Sequence, residues 1–181
     1  MTHQDVLSLL PTRDRDGHKG CYGKILLLCG SRGYTGAAYL SAMGALRTGA
    51  GLVFLGVPES IYAIEAVKLN EAIVLPLPDS GGALSREAIP ELARRVRQMD
   101  AVLIGCGLGL SADTEEILCW ALQNVTCPLI LDADGITLAA KHMDLLRGRT
   151  GITLLTPHAG EFARLGYPCL LYTSPSPRDR G

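Results

Sequence analysis

A chain of 181 residues is long enough for one domain with a real core, and 48% apolar against 19% charged residues suits a compact fold rather than disorder. With 17 Lys+Arg against 18 Asp+Glu, the formal net charge is −1 and no basic cluster stands out, which argues against nucleic acid or an anionic membrane as main partner. The opening MTHQDVLSLLPTRDRDGHKG lacks the basic start and apolar run of a secretory signal, and no apolar stretch approaches a membrane span, so the expected location is the cytoplasm.

From residue 24 onward, short β-rich runs alternate with helical patterns. The strand candidates are KILLLCG (24–30), GLVFLGV (51–57), AIVLPL (72–77), DAVLIG (100–105), PLILDA (128–133) and GITLL (151–155). Most are nearly continuous apolar runs, as parallel strands covered on both faces require. Between them, TGAAYLSAMGALRTGA (35–50) is rich in small residues and should pack close to a sheet. Pro58 suits the opening of another helix, ELARRVRQM (91–99) carries a solvated basic face, and SADTEEILCWALQNV (111–125) begins with an N-cap serine and acidic residues. The order predicts an α/β fold, a three-layer αβα sandwich with a mainly parallel sheet. From Pro168 the chain reads PCLLYTSPSPRDRG, with no helical period and no usable strand. The expected organisation is therefore one domain over 1–166 and an unrelated or disordered tail over 167–181. The six cysteines are scattered without a C-x-x-C pair and read as small buried thiols of a reducing compartment.

Four segments fall where ligands gather in such sheets, at the carboxyl ends of strands. GSRGYTGAA (30–38) allows backbone N–H groups close to an anion at a helix start, or makes a plain tight turn; it fits neither the P-loop pattern nor G-x-G-x-x-G. GCGLG (105–109) suggests that something needs room beside the backbone, although each glycine alone is equally a turn residue. In LDADG (131–135), an extended backbone would point Asp132 and Asp134 the same way, toward Mg²⁺, a phosphate–metal network or a ribose. Otherwise Asp134 caps the next helix and Asp132 bonds local backbone. In TPHAGEFARL (156–165), Thr156 suits an N-cap and Pro157 the first helical position, with Phe162 and Leu165 on the buried stripe. There His158 and Glu161 either begin a helix or face a ligand, the histidine donating to a phosphate or amide and the glutamate orienting it.

In this order, HKGCYGKILLLCGS, YTGAAYLSAMGALRTGAGLV, VLIGCGLG, PLILDADG and LLTPHAGEFARL resemble the ADP/ATP-dependent NAD(P)H-hydrate dehydratase family, over roughly residues 17–165. The resemblance implies a ribokinase-like fold and repair of nicotinamide cofactors hydrated at the reduced ring. ADP or ATP, helped by Mg²⁺, phosphorylates the added hydroxyl, and elimination of phosphate restores NADH or NADPH. By position, Ala37, Gly107 and His158 match residues lining the NAD(P)H hydrate site, and 158–164, with Glu161, match the stretch wrapping the substrate. Cys106 stands where the family usually has Pro. The family continues with a lysine-bearing strand that contacts the nucleotide and a G-T-G-D loop that supplies the catalytic Asp, and neither is in this sequence. No catalytic or nucleotide-binding residue is therefore assigned. The fold is expected to be incomplete at its C-terminus, and the chain to be an inactive or weakly active fragment. Bacterial relatives tend to be tetramers, so a homo-oligomer is expected. The alternatives are a ribokinase-like kinase of a vitamin precursor and a nucleotide-binding module without turnover.

Overall fold

A computed structural model of the protein describes residues 15–166, together with Asp5. The expected tail over 167–181 lies outside the described residues. The elements run β1 (Lys24–Leu28), α1 (Thr35–Thr48), β2 (Leu52–Pro58), α2 (Glu59–Lys68), β3 (Ile73–Leu77), β4 (Asp79–Ser80), β5 (Ala83–Leu84), α3 (Ile89–Val96), β6 (Ala101–Ile104), α4 (Ala112–Asn124), β7 (Leu129–Leu131), α5 (Asp134–Ala139), α6 (Met143–Gly148), β8 (Thr153–Leu155) and α7 (Ala159–Arg164).

Six strands form one parallel sheet in the order β3-β2-β1-β6-β7-β8. The period of a strand explains its unbroken apolar runs. Leu26 and Leu28 of β1 point to one face and join Leu92 of α3 and Ile117 and Leu118 of α4. Leu27 and the following Cys29 point to the other and meet Ala38 and Ala42 of α1 and Ile61 of α2. Both faces are buried, so every position must be apolar, each such leucine contributing about 1.5–3 kcal/mol. Alanines at 38 and 42 let the α1 backbone lie close on the sheet. Lys68 then ties α2 to the start of α1 by bonding both the buried Glu65 carboxylate (3.1 Å) and the Thr35 hydroxyl (3.1 Å).

The chain builds outward from β1 to β3 and then returns to place β6 on the other side of β1. The loops leaving β1 and β6 therefore diverge at a switch point, where an open α/β sheet forms its crevice. Two features escaped the sequence reading: the β4–β5 hairpin, with strands of only two residues, and the short helix α6. The thiols also differ from expectation. Among the described cysteines, all free, Cys29 is buried, Cys21 is exposed, and Cys106, Cys119 and Cys127 lie between, because the last three sit at strand ends or on a half-covered helix face.

Candidate functional site

All four singled-out segments leave the carboxyl edge of the same parallel sheet. The two central ones are laced together. Gly30 N–H donates to the Cys106 carbonyl (2.9 Å), Gly105 N–H to the Leu28 carbonyl (3.1 Å), and the buried Ser31 hydroxyl to the Gly107 carbonyl (2.8 Å).

The glycines of GCGLG do separate jobs. At Gly105 a Cβ would stand 1.9 Å from the Asp132 carbonyl oxygen and 2.5 Å from Gly135 N, so this glycine lets two backbones touch. At Gly107, with φ +66, a Cβ would lie 2.8 Å from Tyr34 Cβ and 2.9 Å from Ala37 Cβ. Ala37 and Gly107 thus face each other across the switch point, and their smallness keeps the β1–α1 and β6–α4 connections in contact. A bulky residue at 107 would consequently strain the backbone and push on α1; it is not a fold-neutral probe of ligand space.

Asp132 and Asp134 do not form a pair. Between them Ala133 has φ +49, the one described non-glycine residue with positive φ. That conformation breaks the extended alternation on which a shared direction depends, at a cost of order 1–3 kcal/mol. Asp132 accepts from the Thr156 hydroxyl (2.8 Å) and the Cys106 thiol (3.2 Å), reaching both flanking strands. Asp134 is the first residue of α5 rather than its cap, and accepts from Gly109 N–H (2.8 Å). Each carboxylate stitches a neighbouring loop. Among the described residues no three His, Cys, Asp or Glu side chains are grouped to hold a metal ion.

The start of α7 is two residues later than the sequence suggests. Thr156 is still paired like a strand residue, its N–H donating to the Leu131 carbonyl (3.2 Å), and its hydroxyl is committed to Asp132. His158 is the N-cap instead. Its Nδ1 accepts from Gly160 N–H (3.0 Å), while the largely buried Glu161 returns Oε2 to His158 N–H (3.0 Å), a reciprocal capping box. An Nδ1 that accepts must be unprotonated, so in the neutral ring the proton is on Nε2, 3.2 Å from Glu161 Oε1. His158 and Glu161 therefore do begin the helix, and with 61% of the histidine side chain exposed, its ring face remains open at the sheet edge.

At the start of α1, a cavity of about 500 Å³ is lined by residues including Arg32, Thr35, Ser60, Asp79 and Gly82. The hairpin forms one wall: Arg32 N–H donates to the Gly82 carbonyl (2.7 Å), and Asp79 Oδ2 accepts from Ser60 N–H (3.1 Å) at the start of α2. The Ser60 hydroxyl above all, with the backbone N–H groups of Ser60 and Gly82 and the charge of Arg32, holds the Asp79 carboxyl below its ordinary range. The sequence gives little sign of this wall, since its strands are only two residues long and too short to show a period.

Where Gly30 meets Cys106, two thiols also meet. Both side chains pack into one cluster beneath α1. The neighbouring Cys106 thiol, with burial, pushes the Cys29 titration well up, and the nearness of Cys29 draws that of Cys106 down.

The family described as NAD(P)H-hydrate dehydratase matches residues 25–173. A bifunctional NAD(P)H-hydrate repair enzyme of Moorella thermoacetica is 42% identical over 159 residues, covering 87% of this chain and 30% of the relative. An ADP-dependent (S)-NAD(P)H-hydrate dehydratase of Listeria monocytogenes is 34% identical over 167 residues, 91% of this chain and 56% of the relative. Among solved structures, an ADP/ATP-dependent NAD(P)H-hydrate dehydratase of Bacillus subtilis co-crystallised with ATP/Mg²⁺ is 34% identical with a TM-score of 0.72, covering 92% of this chain and 56% of that one. A ribokinase-like protein of Enterococcus faecalis is 29% identical with a TM-score of 0.76, covering 91% of this chain and 55% of that one. The chain spans between 30% and 56% of the length of these relatives.

Proposed function

The chain belongs to the NAD(P)H-hydrate dehydratase family, and we propose that its 1–166 region forms the substrate side of a site for hydrated NADH or NADPH. The observation that carries this reading is the continuous ridge of strand-end loops. Ala37 meets Gly107, Ser31 holds the Gly107 carbonyl, Cys106 reaches Asp132, and Asp132 reaches Thr156, two residues before His158. Ala37 and Gly107 leave backbone at the surface where a nicotinamide nucleotide would lie. His158 presents its ring face at the far end, its orientation fixed by Gly160 and Glu161, and residues 158–164 close around the ligand.

ADP or ATP is the proposed phosphoryl donor, making the added hydroxyl a leaving group whose departure restores the reduced ring. No described residue is given a catalytic role. The described carboxylates do not fit a protein cage for Mg²⁺, because Asp132 and Asp134 serve different loops; the ion is expected on the nucleotide phosphates. The reading includes a cytoplasmic location and a homo-oligomer.

Two measurements on the purified 181-residue chain test it. Calorimetry should show weak binding of NADH hydrate, weakened at least several-fold by His158→Ala; equal binding by the variant, or tighter binding of a thiazole or pyrimidine alcohol, overturns the assignment. NADH formation from the hydrate with ADP or ATP should be at most marginal, since phosphoryl transfer depends on a charge-compensating phosphate cradle and loss of a single donor costs about a hundredfold or more. Robust turnover abolished by His158→Ala would mean that the described residues include the catalytic group.

A further inference from the structure

Cys29 is the residue just past the end of β1, and Cys106 lies two residues past the end of the neighbouring strand β6. The two strands pair in register from Ile25↔Ala101 to Leu28↔Ile104, and the pairing continues past their ends through the bond from Gly30 N–H to the Cys106 carbonyl (2.9 Å). Both side chains pack into the same cluster beneath α1, Cys29 at 0% exposure and Cys106 at its partly open rim. Extending that register sets Cys29 opposite Gly105, one residue before Cys106; with neighbouring strands about 5 Å apart, the one-residue diagonal is about 6 Å, within the range that a disulfide spans. The Cys106 thiol also donates to Asp132 Oδ2 (3.2 Å), so a carboxylate stands at its proton.

We propose that Cys29 and Cys106 are a reactive dithiol, a modification site that peroxide oxidises to a disulfide locking the β1 and β6 loops together. Cys106 is the attacking thiol. It is the more open of the two, at the rim of the cluster where peroxide can reach it, whereas Cys29 is fully buried. The nearness of Cys29 lowers the Cys106 titration against the opposing effects of burial and the Asp132 charge. The sulfur of Cys106 attacks one peroxide oxygen and the O–O bond breaks. The thiol proton, directed at Asp132, leaves with the released hydroxide as water, and Cys106 becomes a sulfenic acid. Cys29 sulfur then attacks Cys106 Sγ, the S–O bond breaks, and the hydroxyl departs with the Cys29 proton as a second water. In total, two thiols and one hydrogen peroxide give one disulfide and two waters. The product ties Gly30 and Gly107, one residue from either cysteine, into a single covalent unit and withdraws Cys106 from Asp132. Nothing in this inference depends on which ligand the loops bind.

Limiting hydrogen peroxide followed by alkylation and peptide mapping tests it on the full chain. The expected product is one intramolecular disulfide joining the Cys29 and Cys106 peptides, a mass loss of about 2 Da reversed by dithiothreitol. Cys29→Ser should accumulate a dimedone-trappable sulfenic acid at Cys106, and Cys106→Ser should leave Cys29 fully alkylatable after unfolding. Cys29→Ala is a second variant should serine disturb the core. Cross-links from Cys21, Cys119 or Cys127 in preference to this pair overturn the proposal. So does Cys106 oxidised in the intact chain while Cys29 stays a free thiol.

Discussion

The two ends of the strand-end ridge are built from different materials. Around Ala37, Gly105 and Gly107 the loops touch through backbone, and the sequence must supply atoms that are absent: no side chain at 105 or 107, one methyl at 37. Around His158 and Glu161 the structure is made by side chains that fill each other's hydrogen bonds. Contacts between backbones tolerate no addition, whereas capping bonds tolerate exchange among groups that accept and donate alike. Substitution should accordingly be severe and uniform at the first end, and graded by chemistry at the second.

The largest expected effect is at Gly105. A Cβ 1.9 Å from the Asp132 carbonyl oxygen cannot be relieved by turning a side chain, and φ +134 is strained for any L residue. Gly105→Ala should cost more than about 4 kcal/mol, in the exceptional range for a single replacement, and far-UV circular dichroism should show a chain that does not fold cooperatively. Gly107→Ala comes next. Its Cβ meets two methyl-sized neighbours, Tyr34 Cβ and Ala37 Cβ, at 2.8 and 2.9 Å, so a loss of about 1–3 kcal/mol is expected in urea unfolding. If Gly107→Ala proves as stable as the parent, the glycine is kept for the ligand rather than for packing.

His158 gives the graded case. Removing an N-cap costs about 0.5–2 kcal/mol, so His158→Ala should destabilise α7 by that amount and His158→Asn by much less, because asparagine is itself a good cap. Ligand affinity separates the two roles of the residue. Asn should recover stability without recovering binding, if the ring face is what the substrate meets. Recovery of both by Asn would make His158 a cap alone.

How far these differences are visible in the sequence depends on what fixes each one. The strands are legible, because two buried faces demand apolar residues at successive positions: Leu26 and Leu28 serve one core, Leu27 and Cys29 the other. GCGLG advertises that side chains are excluded, but the sequence does not distribute the reasons; that Gly105 abuts Gly135, 30 positions along, is a tertiary fact. Of the two readings open for Asp132 and Asp134, the shared direction fails for a definable cause. Their shared direction assumes period two, and Ala133 at φ +49 cancels it, in a residue type that carries no sign of positive φ. The α7 start was displaced because the Thr156 hydroxyl, a good cap by composition, is taken by Asp132 from the neighbouring strand. Residue types near the ridge were readable; the partners of its polar atoms were not.

The smallest expected effect asks whether the glycine-built end has any titratable component. Its wall, the β4–β5 hairpin, is pinned to α2 by Asp79, whose carboxylate faces the Ser60 hydroxyl and N–H, Gly82 N–H and the Arg32 charge. These partners lower the folded-state titration below that of an unfolded aspartate. The folded state therefore binds the proton less readily than the unfolded one. The stabilisation is complete above the unfolded value of about 4 and is lost as pH falls through the lower folded value. Asp79→Asn keeps one acceptor oxygen but has no proton to take up. The difference in urea midpoint between parent and variant should be constant from about pH 5 to 8 and shrink below about pH 4. Salt should reduce the part owed to Arg32, since the pair is near solvent, and leave the part owed to Ser60. A difference that stays constant down to pH 3 would show that Asp79 holds the hairpin by shape alone. The glycine-built end would then be as indifferent to pH as its backbone contacts suggest.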